Sequence, residues 1–323
     1  MIKILTLIFL VSAAAVAQTQ NPVPRSVKFK PAADHHQHLF SPAMAEFQKI
    51  QPITAQAVIA LLDAAGIERA ALLSTAYAYS RPGREPAGEY ARVKAENDWN
   101  GAEAAKYPRR LIAFCGINPL KDYAIEEIVR CSKDPNLHYG IKMHFGNSDV
   151  QLENPAHIEK LKAVFREANA RRMAIVIHMR ASISLKRPYG PEQARAFLEH
   201  LLPLATRIPV QIAHLAASGP GYSDTMAHSV IEVLAEACEK RMAGTKNLWF
   251  DVTTSAHPSN SPEMSALIVK LVRRIGVKKI LYGADAALGG NLRPRESWEE
   301  FCKLDLTDKE IKTIAKNVAP YLR

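Results

Sequence analysis

The residues of this 323-residue chain that could do chemistry gather at a few points. The stretch ADHHQHLF, residues 33–40, holds three histidines and an acid. On an extended segment, side chains alternate, so Asp34, His36 and His38 share one face while His35 and Gln37 take the other. Two imidazoles at i and i+2 can then grip one ion from a single strand. Taken alone, the pattern also suits an exposed polar loop. Further along, isolated residues of the same chemical type close short apolar runs: His178 ends AIVIH, His214 ends VQIAH and Asp285 ends KILYGAD. Neutral imidazoles with a carboxylate oxygen are suitable ligands for a divalent metal, zinc first and manganese second.

Such residues act together only if the chain brings them to one place. The spacing predicts eight short strands at 32–38, 69–75, 111–117, 140–145, 174–178, 210–214, 248–253 and 279–285. Segments of helical period lie between them, at 54–65, 89–107, 124–131, 155–171, 191–205, 223–241 and 261–275. A looser segment around Trp298 precedes a final amphipathic helix at 308–318. Eight strand–helix repeats are the arithmetic of a single (β/α)8 TIM barrel, α/β in class, with one additional C-terminal helix. A doubly wound open sheet alternates in the same way, but it favours a glycine-rich phosphate loop after an early strand, and the sequence has none. In the barrel, the carboxyl ends of the strands form the active site, and His36, His38, His178, His214 and Asp285 all fall there.

Three spans organise the chain: a leader at 1–17, an N-terminal extension at 18–30, and the barrel at 31–323. The leader, MIKILTLIFLVSAAAVA, carries one lysine, an apolar core and an Ala-x-Ala site, the layout of a secretory signal peptide cleaved after Ala17. The expected location is therefore outside the cytoplasm, most simply a periplasm, with no membrane attachment once the leader is removed. The net charge of +10 comes from lysines and arginines scattered among acids, which reads as a solvated surface with a bias toward anionic small molecules rather than nucleic acid. Of the four cysteines, Cys115 lies in an apolar run and is expected to be buried rather than bridged, while a pairing of Cys131 stays open.

These motifs resemble the amidohydrolase superfamily, in particular the amidohydrolase-related group of metal-dependent hydrolases and aminocarboxymuconate-semialdehyde-type decarboxylases. The resemblance rests on DHHQH at 34–38, VIHMR around His178, AHLAASG around His214, YGADAAL around Asp285 and IAKNVAPYL at 314–322. It runs from about residue 30 to the end of the chain; Ala284 stands where many relatives have Ser or Thr. It implies that His36, His38, His178 and Asp285 ligate a divalent metal whose bound water has its pKa lowered to roughly 7. Asp285 then carries the proton from that water to the leaving group, and His214 polarises the scissile carbonyl or steadies the hydroxide, or with His178 binds a second metal if Lys142 bridges two. Lys142, in GIKMH, has three readings: a carboxylated bridge between two metals, an electrostatic group of the site, or a structural lysine. One ion is favoured, and two if Lys142 is carboxylated.

Candidate substrate contacts are Arg180 and His144 beside the strand ends, Arg81 and Tyr77 in the loop after the second strand, and His257 after the seventh. The leading expectation is an exported hydrolase that cleaves an amide, ester or lactone of a small organic molecule with a metal-activated water. The same cage serves a non-oxidative decarboxylase of an aromatic or unsaturated acid, and a third reading is a non-catalytic metal- or ligand-binding barrel. A homodimer is compatible with the resemblance.

Overall fold

The computed structural model describes residues 23–287 and 290–323. The leader expected at 1–17, and residues 18–22 of the extension, lie outside the described residues. Eight parallel strands pair in sequence order: β1 (Ala33–Gln37), β2 (Arg69–Leu73), β3 (Leu111–Gly116), β4 (Gly140–His144), β5 (Ala174–His178), β6 (Val210–Ile212), β7 (Leu248–Asp251) and β8 (Ile280–Leu281). The His35 amide donates to Tyr282 O at 2.9 Å and the Asp285 amide to His36 O at 2.7 Å, which brings the last strand back to the first. The (β/α)8 barrel expected from the spacing is the fold observed.

The outer helices form where capping and amphipathic period coincide. Ala55–Ala65 starts on Thr54, whose hydroxyl accepts from the Ala57 amide, and stops at Gly66 in the left-handed region. Val58 and Leu62 on its inner face are buried in the large core between helices and barrel wall. The segment 191–205 does not form the single helix its period suggests. An α-turn at Pro191–Ala196 widens to a π-turn at Phe197–Leu201 and tightens to a 3-10 turn at Leu202–Leu204. Pro203 is the cause, because it has no amide hydrogen to continue the ladder. Four helices were not anticipated, the single turns Arg25–Lys28 and Phe145–Ser148 and two longer ones. Pro42–Gln48 follows the Ser41 cap, and Pro294–Cys302 packs Trp298 edge-on against Tyr282 at 5.2 Å.

The amino end of the barrel is closed. Phe114 meets Tyr321 at 5.0 Å, and the Tyr321 hydroxyl donates to Gln211 inside the barrel. Asn317 donates to the carbonyls of Val277 and Ile280, each at 2.7 Å, fixing the terminal segment beneath β8. Cys115 and Cys131 form a disulfide, with Cα atoms 6.5 Å apart, joining β3 to the helix Ala124–Lys133. This corrects the expectation for Cys115: its burial is what seats the bridge, since the helix face carrying Cys131 packs on the same apolar run.

Candidate metal centre

At the carboxyl end the strands stop short, and their last residues turn inward. Strand β6 ends at Ile212 instead of continuing to His214, because His214, Leu215 and Ala216 adopt left-handed backbone with φ of 57°, 48° and 66°. Thr254 and Asp285, beyond β7 and β8, do the same at 55° and 51°. Left-handed geometry costs about 1–3 kcal/mol at a non-glycine residue and persists where surrounding contacts over-determine it. Here those contacts come from Asp251. One of its oxygens accepts from the His214 amide at 2.8 Å, and the other accepts from His36 Nδ1 at 3.1 Å and Gln211 Nε2 at 2.7 Å.

The same bonds set the imidazole tautomers. His36 donates through Nδ1 to Asp251, and His38 donates through Nδ1 to the Leu73 carbonyl at 2.5 Å. Both Nε2 atoms are thereby left with bare lone pairs, and they face each other at 3.2 Å. Two lone pairs meet this closely only where a cation reconciles them, a role open to a metal ion and to the Lys142 ammonium, 3.3 Å from His36 Nε2. Asp285 completes the set, with Oδ1 at 3.5 Å from His38 Nε2 and Oδ2 at 3.8 Å from His214 Nε2. Its Oδ1 is buried without a hydrogen-bond partner. His36, His214 and Asp285 each offer a donor atom within 4.8 Å of the others. An orphaned carboxylate oxygen, two bare imidazole nitrogens and a third imidazole in reach form a donor set that fits a divalent metal.

His178, expected as a ligand, lies one ring further out. Its ring centroid is 5.1 Å from His214, and it stacks on His144 at 3.8 Å. His214, expected to polarise the carbonyl, steady the hydroxide or bind a second metal, stands in the tightest set with His36 and Asp285. Lys142 is buried, with Nζ 3.3 Å from His36 Nε2. Burial pulls its ammonium down to about 8, against the attraction of Asp251 and Asp285. Burial likewise holds His38 and His144 down to about 3 and His36, His178 and His214 well below the ordinary imidazole value, with Lys142 adding to the effect. Asp285 is pushed the other way by burial, well above the carboxylate range. Both kinds of shift favour neutral groups, the condition of a buried site lined with nitrogen lone pairs.

These groups floor a cavity of about 430 Å³ open to solvent. Tyr77, Arg81, His144 and Arg180 line it as expected, together with Phe40, Gln48 and Asn147. Arg180 is already committed: its Nε donates to Asp224 at 2.6 Å and its guanidinium lies over Tyr189 at 4.7 Å. Arg81 touches only the Ser184 hydroxyl, at 3.5 Å. His257 is outside this cavity and faces another depression, paired with Ser259 at 2.7 Å. Asp251 escaped the sequence reading, and Asp34 was placed in the motif without a role. Asp251 orients both His36 and His214, and Asp34 binds the Ala284 amide at 3.2 Å and so places the turn before Asp285. The signal for Asp251 was an acid inside the apolar run LWFDV, since a buried carboxylate needs several donors.

No family model matches the chain, and no curated protein matches it in sequence. Solved structures match its fold over nearly their full length. One is a 2,6-dihydroxybenzoate decarboxylase from Rhizobium, with TM-score 0.61 and 16% identity over 89% of this chain and 96% of that one. A second is a probable 2-pyrone-4,6-dicarboxylic acid hydrolase from Acinetobacter baumannii, with TM-score 0.55 and 19% identity over 88% and 95%. A third is a 5-carboxyvanillate decarboxylase from Novosphingobium aromaticivorans holding manganese, with TM-score 0.57 and 14% identity over 89% and 94%. These neighbours are amidohydrolase-superfamily enzymes. At such identities the likeness establishes the fold, and it is the fold that the sequence motifs imply.

Proposed function

We propose that this protein is an exported metal-dependent hydrolase that cleaves an amide, ester or lactone of a small organic molecule. His36, His38, His214 and Asp285 would hold the ion, with His178 beside them and zinc or manganese suited to the donors. When bound there, the metal supplies Lewis acidity toward a substrate carbonyl. The observation that carries the reading is Asp285, a buried carboxyl with an unpartnered oxygen among three imidazoles. Such a group can accept a proton from an attacking water and return it to a leaving group. Asp251 keeps His36 and His214 in register through that transfer, and Lys142 supplies positive charge beside them. The cavity volume suits a small molecule, and Tyr77 with His144 offers it an aromatic wall, their rings 5.3 Å apart. Export is supported by the leader sequence and by the Cys115–Cys131 bridge, a bond typical of oxidising compartments.

Decarboxylation is the second reading, favoured by two of the structural neighbours. It needs the same proton carrier, delivering to carbon. Elemental mass spectrometry on the leader-free protein, purified without chelator, tests the shared premise: about one zinc or manganese per chain supports the single-ion site, and about two makes Lys142 a carboxylated bridge. No metal, even after it is offered back, overturns the reading. Product analysis on lactone, ester and aromatic-acid panels separates the chemistries, because release of carbon dioxide marks the lyase.

A further inference from the structure

The cations scattered along the sequence are not scattered in space. In a parallel barrel every strand begins at the end opposite the active site, and the segments leading into neighbouring strands therefore lie side by side. Arg172 stands just before β5, Arg207 before β6, Lys246 before β7 and Lys278 before β8. All four are exposed. Lys278 shares a depression with Lys316 and Arg323, also exposed, and Lys279 links this depression to a second one lined by Lys246 and Met242. Neither depression contains an acidic side chain.

Pairing separates this arc from its surroundings. Nearby Lys270, Arg273 and Arg274 are neutralised by Glu232, Glu310 and Glu239. Among the described residues, none of Arg172, Arg207, Lys246, Lys278, Lys316 and Arg323 has a side-chain carboxylate within ion-pair distance. Several follow helix C-termini, where positive charge is locally favourable. That accounts for each position singly but not for the missing counter-charges. The arc also carries an apolar tip, because Met242 is half exposed in the loop between Arg241 and Lys246.

We infer that the amino end of the barrel is a docking surface for an anionic phospholipid bilayer, held by charge and a shallow apolar contact, with the catalytic mouth facing away into solution. Six unpaired cations on one face match a sheet of phosphate charges. The exposed methionine matches the headgroup boundary, which an aqueous polyanion does not offer. A single-stranded nucleic acid would need free aromatic faces, and the one tryptophan here, Trp249, is covered by the Lys279 ammonium at 4.8 Å. No helix among the described residues is long and apolar enough to cross a membrane, so the contact is peripheral.

Co-sedimentation of the metal-loaded, leader-free protein with vesicles tests this. Binding to equimolar phosphatidylcholine and phosphatidylglycerol is expected at low salt, with none to phosphatidylcholine alone and loss at high salt. Neutralising Lys246→Gln, Lys278→Gln, Lys316→Gln and Arg323→Gln together should lower the partition coefficient at least about a hundredfold. The same net change at Lys49→Gln, Arg84→Gln, Lys94→Gln and Lys186→Gln, at the opposite end, should lower it far less. Equal losses in the two variants, or no binding to the anionic vesicles, overturn the inference. So does retention on heparin without vesicle binding. A solvatochromic dye on Met242→Cys should shift blue on binding while one on Ile183→Cys, at the mouth, should not; the reverse pattern overturns the orientation.

Discussion

The two ends of this barrel are built from the same repeat and have opposite characters. At the carboxyl end, strands stop early, backbone turns left-handed at His214, Thr254 and Asp285, and titratable groups are buried with donor atoms unpaired. At the amino end the chain closes on itself. Tyr321 and Phe114 fill the floor, Asn317 satisfies two carbonyls, and charge is kept outside in water. The difference teaches where this fold tolerates cost. One end holds groups that a metal and a substrate would satisfy, and the other supplies the cohesion that keeps them in place.

Asp285→Asn should break the contrast most sharply. Turnover should fall by about a hundredfold or more, the loss expected for a proton carrier, while the thermal stability of the metal-free protein stays level or rises because a buried carboxyl is removed. A matched fall in melting temperature would place Asp285 in the fold instead of the chemistry. Chelation comes next. Stripping metal should cost about 3 kcal/mol of unfolding free energy relative to protein holding ion at roughly a hundred times its Kd, and zinc or manganese should restore it. An unchanged denaturation midpoint would remove the metal from the site.

Removing the bridge with Cys115→Ala and Cys131→Ala should cost a comparable 2–4 kcal/mol, by about the usual effect of a disulfide, and leave KM unchanged, since the bond lies in the wall and lines no part of the cavity. Asn317→Ala, at the amino end, should cost about 1–3 kcal/mol by orphaning the Val277 and Ile280 carbonyls, again with normal turnover. An activity loss larger than the stability loss would show that the two ends are coupled.

The smallest effect at neutral pH, and the most diagnostic on acidification, concerns the imidazoles. His35 is held down to about 4 by burial, and His36, His38, His144, His178 and His214 are also lowered. An unfolded chain takes up these protons near pH 6.5, before the native one does, so metal-free stability must fall as pH drops below 6.5. The raised carboxyls Asp34, Glu96 and Asp285 work in the opposite sense, but three cannot offset six. Melting curves from pH 7.5 to 4 check this, and a flat profile would mean that the imidazoles are solvated.

Much of this could be read from residue order. Strands β2 to β5 lie within a residue or two of their expected limits, because apolar runs bounded by caps and prolines leave few alternatives. The strand ends carrying His36, His38, Lys142 and His178 were legible for the same reason. The limits of β8 were not, and β6 also stops two residues early. Their final residues look extended in sequence, yet left-handed turns held by Asp251 and Asp34 end the ladder early.

By itself, then, the sequence determined the alternation of strand and helix, the count of eight, and the chemical types at the strand ends, since these depend on local period and on each residue's own side chain. Only the tertiary structure decided that His214 gathers with His36 and Asp285, that Arg180 is taken by Asp224, that Cys115 meets Cys131, and that cations far apart in the chain share one face. Each of these is a contact between segments distant in sequence, and the distances and partners that define it exist only once the barrel closes.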